Sequence, residues 1–114
     1  MIVTTSENIS GHRVIRTLGL VRGNTIRARH VGKDLMAFGR NIVGGEVSEY
    51  TKLLAEAREQ AIDRMVEEAE GLGANAITMV RFSTAQVMSG AAELLAYGTA
   101  MVIEPDSIQS GGDT

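Results

Sequence analysis

Residues 46–72 read EVSEYTKLLAEAREQAIDRMVEEAEGL and form the longest periodic segment of the chain. Successive residues of an α-helix lie about 100° apart, and this spacing gathers the apolar residues on one broad arc with the acidic residues opposite. The arc holds Val47, Tyr50, Leu53, Leu54, Ala57, Ala61, Ile62, Met65, Val66, Ala69 and Leu72. The segment therefore predicts an amphipathic helix roughly 40 Å long.

This apolar arc is wider than one sheet can cover. It spans about 220° of the helix, whereas a stripe that faces a single core needs only a little over about 100°. We expect a second copy of the chain to pack on the flank. Arg58 falls inside the arc and has two interpretations. Either its stem packs on apolar surface while its head reaches water, or its guanidinium is held at a subunit contact or by an anionic ligand.

Composition excludes several classes of protein. The 114 residues are enough for one domain, and the absence of cysteine excludes disulfides, thiolate metal sites and a cysteine nucleophile. The N-terminus has neither a basic segment nor a continuous apolar run, and no later run approaches a membrane span. We therefore expect a cytoplasmic protein without a membrane partner.

Charge is distributed unevenly along the chain. Residues 1–45 hold seven Lys or Arg and two acids, whereas residues 46–114 hold four and twelve, for a net charge of -3. Such asymmetry can mark a nucleic-acid patch. Here the basic part is strand-like and the acidic part is helical, so neutralisation of one by the other is the simpler interpretation.

Strand patterns lie on both sides of the helix. Residues 2–4 predict a short edge strand and residues 13–21 a strand with two partly apolar faces. Residues 22–25, Arg-Gly-Asn-Thr, predict a turn, and residues 26–30 a short paired segment.

After the helix, Gly73 is the expected left-handed residue. Residues 77–88 and 93–104 then predict an antiparallel hairpin that turns at residues 89–92. The small residues Ala96, Gly98 and Ala100 would let another backbone, such as that of the long helix, approach closely.

Two further segments complete the expected organisation. Leu35, Phe38 and Ile42 recur at helical spacing and predict a short helix that ends at Gly44-Gly45. Paired glycines ahead of a helix can expose backbone N–H groups to an anion, although most such pairs only turn the chain. Pro105 ends the last strand, and residues 105–114 predict a disordered C-terminal tail.

Four blocks of sequence carry a family resemblance. They are residues 40–45 (RNIVGG) leading to Tyr50, residues 57–59 (ARE), residues 72–76 (LGANA) and residues 97–100 (YGTA). In that order and spacing they resemble the YbjQ-like family, over residues 1–104. The resemblance implies a single α+β domain with a dodecin-like subunit, an antiparallel sheet packed on one long helix, assembled as a homopentameric ring. It also implies an uncharacterised function with a heavy-metal-binding label.

The residues themselves give the metal label little support. A soft metal requires Cys or clustered His, and the only histidines, His12 and His30, lack ligand spacing. Glu59, Asp63 and Glu67 stand four residues apart and could hold a hard cation weakly, but a solvated acidic helix face is the simpler interpretation. No cofactor can be named, and the metal ligands are unknown.

The sequence contains no recognisable motif for catalysis or for nucleic-acid binding. The chain contains no nucleophile elbow, no phosphate-binding loop and no HExxH sequence. The arginines, Lys33 and His30 within residues 22–40 could face phosphates, yet the acidic pI and the scarcity of aromatics argue against nucleic acid. We therefore predict a protein that is not an enzyme.

Two functional hypotheses remain open. The first is a ring-forming protein that binds a small ligand or metal ion at subunit interfaces or in a central channel. The candidate lining residues are Arg40, Gly44, Gly45, Tyr50, Arg58 and Tyr97. The second is a purely structural or regulatory scaffold without a ligand, in which the same residues orient the subunits.

Overall fold

The computed structural model describes residues 1–27, 47–88 and 91–106. These residues form four strands and one helix. The elements are β1 (Ile2–Val3), β2 (His12–Arg27), α1 (Val47–Gly71), β3 (Ala76–Met88) and β4 (Ala91–Pro105). The predicted α+β class, with one long helix on a sheet, is confirmed.

The sheet has the strand order β1-β3-β4-β2. β4 is antiparallel to both β2 and β3, but β1 runs parallel to β3. The prediction of an antiparallel sheet is therefore wrong at this edge. A strand can pair in parallel only when a long crossover returns the chain in the same direction. Here β2, residues 28–46 and α1 separate β1 from β3 along the chain.

Helix α1 packs mainly on β2 and β4. Its apolar side chains follow the predicted period, and the fully buried row is Ala57, Ala61, Met65 and Ala69. Ile62 and Val66 are half-buried beside this row, whereas Leu54 remains 41% exposed and Leu72 49% exposed. One sheet covers only part of the apolar arc, as its width predicts. The helix ends as expected at Gly73, whose φ is 87°.

β2 continues through the segment that we predicted as a turn. Residues 22–25 pair with β4 without interruption, and the strand ends at Arg27. Gly23 faces α1, where a Cβ would overlap the carbonyl oxygen of Ala61 and the amide nitrogen of Met65. The Thr25 hydroxyl donates a hydrogen bond to the carbonyl oxygen of Ala57 at 3.3 Å. Turn-forming residue types are retained in a strand here because the helix packs directly on them.

The predicted hairpin is confirmed as β3 and β4, which extend slightly beyond the predicted bounds. Ala91 and Ala92 already belong to β4, so the turn prediction is wrong for them. Gly98 is required by the neighbouring strand, not by the helix. A Cβ on Gly98 would lie 2.8 Å from Cγ2 of Ile77 and 3.0 Å from the carbonyl oxygen of Thr78.

The two faces of the sheet have different environments. The helix face, which carries Val21, Ile77, Val80, Ala96 and Ala100, forms the main core with α1. The opposite face, called the distal face, is covered at one end by the N-terminal link. There Ile9 packs against Ala76, Met101 and Ile103.

A bulge in β3 lies beside this second core. Thr78 pairs with Thr99 and Arg81 with Tyr97, so two residues of β3 oppose one residue of β4. Met79 takes a φ of 55° at this point, a conformation that is uncommon for a residue with a side chain. The bulge returns Val80 to the helix face and Arg81 to the distal face.

Several predictions lie outside the described residues. They are the short helix over residues 35–43, the Gly44-Gly45 turn, and the C-terminal tail from residue 107 onward. Within the described ranges, no helix is both long and apolar enough to cross a membrane.

Candidate functional site

Tyr97 occupies the middle of a polar row on the distal face. It is paired with Arg22 of β2 on one side and with Arg81 of β3 on the other. Directly opposed residues of neighbouring strands project on the same face of a sheet. All three side chains therefore lie on the distal face, and we call this set the Arg–Tyr–Arg row.

Strand geometry sets the width of the row. Neighbouring strands lie about 4.8 Å apart, so the backbones of Arg22 and Arg81 are separated by about 10 Å. Tyr97 is half-buried between them, and both arginines are exposed. The strand register therefore places one arginine on each side of Tyr97.

The two arginines differ in their hydrogen bonding. Nη1 of Arg81 donates to the carbonyl oxygens of Thr5 at 3.0 Å and Val80 at 2.9 Å. These bonds hold the side chain beside the N-terminal link and use only one of its nitrogens. Within residues 1–27, 47–88 and 91–106, the guanidinium of Arg22 forms no ion pair, although the backbone N–H of Arg22 donates to Oε1 of Glu68 at 3.1 Å.

An acidic side chain lies farther along the same face. Glu93 accepts a hydrogen bond at 2.9 Å from Nδ2 of Asn24. It pairs in register with Ile26, which is four residues beyond Arg22 along β2. Glu93 thus limits the positive surface on one side without neutralising the row.

The chemistry of the row suits an oxyanion. Guanidinium groups bind carboxylate and phosphate oxygens through charge-assisted hydrogen bonds, and a tyrosine hydroxyl can donate one more. A bare cation would be repelled by two arginines at this spacing.

The structure separates the two predicted site residues that it describes fully. Tyr97 lies on the distal face, whereas Arg58 is an exposed side chain of α1, on the other side of the sheet. One subunit does not bring them together. Tyr50 belongs to α1, and Arg40, Gly44 and Gly45 lie outside the described residues.

Arg81 was not identified from the sequence as a candidate. Its significance comes from strand register, because the bulge at Met79 determines which residue opposes Tyr97. Residue spacing alone gives no signal for a bulge of this kind. The sequence places Arg22 only in a diffuse basic set, and the turn predicted over residues 22–25 gives no strand partner for it.

The described side chains form no cluster of metal ligands that would support a metal site. Within those ranges, no group of three His, Asp or Glu is placed to hold an ion. Glu59, Asp63 and Glu67 are exposed on the outer surface of α1. His12 is exposed, and its Nδ1 lies 2.9 Å from the carbonyl oxygen of Ser10. His30 lies outside the described residues.

Comparison with known proteins gives matches over most of the chain. The YbjQ family model, described as "Putative heavy-metal-binding", matches residues 1–104. A "UPF0145 protein" of Dehalococcoides mccartyi is 59% identical over 104 residues, covering 91% of this chain and 100% of that protein. One of Methanosarcina acetivorans is 57% identical, covering 90% and 97%. One of Thermus thermophilus is 55% identical, covering 92% of each chain.

A solved structure shares the fold. It is a protein of unknown function from Pediococcus pentosaceus, described as a member of the DUF74 family. It matches with a TM-score of 0.53 at 16% identity, covering 93% of this chain and 98% of that one. At this identity the match supports the architecture alone.

Proposed function

Because the chain belongs to the YbjQ-like family of uncharacterised UPF0145 proteins, we propose that it is a non-enzymatic protein that binds a small ligand between the subunits of a ring. The ring is a homopentamer in this proposal. Its ligand is a small anion that carries a carboxylate or phosphate group.

The Arg–Tyr–Arg row is the observation that supports the anionic ligand. Its two arginines project from the same sheet face on either side of Tyr97, and the guanidinium of Arg22 forms no ion pair with a described residue, although the Arg22 backbone N–H donates to Glu68. Arginines without an ion-paired carboxylate favour the binding of an anion beside them. The family description names heavy metals, but a metal would need a different set of ligands.

Exposed apolar side chains support self-association. Val14 and Ile15 are each 50% exposed, Leu20 is 63% exposed, and Ile26 is 54% exposed. Leu54 of α1 and Phe82 of β3 are exposed as well. Apolar surface on several elements of one small subunit is typical of a chain that packs against other copies.

Assembly also brings separated residues within reach of one another. Arg58 and Tyr97 lie in different layers of one subunit and can share a pocket only across a subunit contact. We place Arg58, Arg40, Tyr50 and the Gly44-Gly45 turn at such contacts as further lining.

Native mass spectrometry of freshly purified protein tests the proposal. We expect a pentamer that carries a stoichiometric anion, or one that binds added inorganic phosphate. The Arg22→Met variant should weaken phosphate binding by about tenfold or more, which corresponds to the loss of one charge-assisted hydrogen bond. Lys52→Met is the matched control, because Lys52 is an exposed charge of α1, on the other side of the sheet from the row.

The remaining outcomes separate the alternatives. A pentamer without ligand, and without affinity for phosphate, would favour the scaffold role. Stoichiometric metal found by elemental analysis would support the family description instead. A folded monomer at micromolar concentration would contradict the ring.

A further inference from the structure

The outer edge of β3 carries backbone groups that pair with no described residue. The direction of these groups follows from contacts on the opposite edge of the sheet. Oε1 of Glu68 accepts a hydrogen bond at 3.1 Å from the backbone N–H of Arg22. Arg64 donates from Nη1 to the carbonyl oxygen of Asn24. In β2, the backbone groups of Arg22 and Asn24 therefore point away from β4.

In an antiparallel ladder, hydrogen-bonded and non-hydrogen-bonded residue pairs alternate, so the direction of the backbone groups in β2 determines their direction in β4 and β3. Since Arg22 points outward, its partner Tyr97 turns its own backbone groups toward β3, where it bonds Arg81. By the same rule, Ser83 and Ala85 point inward to β4. The backbone N–H and C=O groups of Phe82, Thr84 and Gln86 point outward, to the free side of β3.

The upstream part of this edge is already occupied. The N–H of Val80 donates to the carbonyl oxygen of Thr4 at 3.0 Å, and that of Met79 donates to Ser6 at 3.1 Å. Past Val80 the N-terminal segment leaves the strand. Among the described residues, nothing pairs with the outward groups of Phe82, Thr84 and Gln86.

The sequence does not protect this edge from pairing. Residues 82–88, FSTAQVM, contain no charged residue and no proline, and residues 82–86 are exposed. Soluble proteins usually protect an edge strand with lysine, proline or a covering element. An uncharged and extended edge is instead suited to receive another strand.

The other edge of the sheet is protected over part of its length. Glu68 and Arg64 cap β2 at Arg22 and Asn24, as described above. Among the described residues, no side chain caps the backbone of residues 13–17, all of which are exposed. Val14 and Ile15 together present apolar surface on that half of β2.

We propose that the outer edge of β3 pairs with the N-terminal half of β2 in a second copy of this chain. The inference rests on the proposed ring, for which it names the subunit contact. Each subunit would give one edge and receive a different one, and such a heterologous contact closes into a ring when the rotation allows it. The free edge begins at Phe82, the residue after Arg81, so the contact lies beside the Arg–Tyr–Arg row.

Amide hydrogen exchange of the wild-type protein is the first test. In the assembled protein, the amides of Phe82, Thr84 and Gln86 should exchange at least roughly tenfold more slowly than in monomer. The amides of Ser83 and Ala85 serve as internal controls, because β4 protects them in both states. Rapid exchange at all three outward amides within an intact ring would overturn this contact and leave the ring standing.

Proline substitution tests the same edge by assembly. Thr84→Pro removes one outward N–H and leaves the β3–β4 ladder complete, whereas Thr84→Val keeps the N–H as a matched control. We expect the proline variant to become monomeric with its helix retained and the valine variant to assemble as wild type. A proline variant that still forms the full ring contradicts the contact. If the proline variant does not fold, amide exchange in the wild-type protein tests the contact instead.

Cross-linking identifies the opposing strand, because the natural chain has no cysteine. The double variant Thr84→Cys with Ile15→Cys, treated with a short bismaleimide, should give a ladder of covalent multimers. Thr84→Cys alone should give none. Efficient dimers from that single variant would show β3 pairing with its own copy and would overturn the proposal. Slow exchange at these amides in a monomer would show that the chain itself covers the edge, with the same consequence.

Discussion

Gly23 of β2 lies directly against Met65 of α1, so that a Cβ on the glycine would overlap the backbone amide nitrogen of Met65. The same Cβ would also overlap the carbonyl oxygen of Ala61. Backbone atoms of a helix cannot move aside as a flexible side chain can. The distance between the helix and the sheet therefore depends on a residue without a side chain at position 23.

Gly23→Ala should destabilise the fold strongly. We expect a loss of roughly 2–3 kcal/mol in the free energy of unfolding, because the added methyl forces α1 away from β2. Urea denaturation measures the loss. Gly71→Ala is the matched control, since a Cβ there meets nothing within 4 Å and alanine favours the helix. It should be neutral or stabilising, and equal losses in both variants would contradict this account of the contact.

Two buried threonines should respond to valine in opposite directions. The hydroxyl of Thr25 donates to Ala57, whereas Oγ1 of Thr78 is buried without a hydrogen-bond partner in the described structure. Thr25→Val should cost about 1 kcal/mol, the value of one hydrogen bond. Thr78→Val should stabilise the fold by about 1 kcal/mol, because it removes a polar atom whose loss of hydration is not compensated by a hydrogen bond. Thermal unfolding of both variants, at one protein concentration, checks the difference in sign.

The side chain of Asn75, just before β3, forms the hydrogen bonds that the backbone of a strand residue would form with β4. Its Nδ2 donates to the carbonyl oxygen of Ile103, and its Oδ1 accepts from the N–H of Ile103, both at 2.8 Å. Asn75→Ala should therefore cost about 2 kcal/mol, the sum of two hydrogen bonds. Asn8→Ala, at an exposed position in the N-terminal link, should stay within about 0.5 kcal/mol of wild type. A loss at Asn75 no larger than at Asn8 would show that the paired bonds do not stabilise the fold.

Arg58→Met distinguishes ligand binding from assembly. The side chain is exposed on α1, and methionine has a similar helix propensity, so we expect the subunit to fold normally. If Arg58 lines a ligand site, the variant keeps the ring and loses phosphate affinity, as measured by native mass spectrometry and calorimetry. Lys52→Met removes another exposed charge of α1 and should change neither property. Loss of the ring in the Arg58 variant alone would assign that residue to the architecture.

The helix and the hairpin could be predicted because their signals are local. The 3.6-residue period of α1, the glycine after its end, and the paired apolar runs of β3 and β4 all appear within short windows of sequence. Such patterns reflect the preference of each segment for its own backbone geometry and for one buried face. The width of the apolar arc likewise predicted the exposed positions that a single sheet leaves on α1.

The remaining features arise between segments that are distant in sequence. Residues 22–25 have the composition of a turn, yet they form a strand because α1 packs on Gly23 and Thr25. β1 pairs in parallel for a similar reason, since its partner begins more than seventy residues later. Local preference is weak, and a tertiary contact worth a few kcal/mol reverses it.

Residue types and their order thus determined the class of the fold, the helix with its wide apolar arc, and the family. Tertiary structure determined which residues meet: Gly23 meets the backbone of α1, and Tyr97 lies between two arginines. It also determined that three outward amides of β3 have no described partner. The physical reason is that the partner of a strand residue depends on register, and a single bulge at Met79 shifts that register without leaving a periodic mark in the sequence.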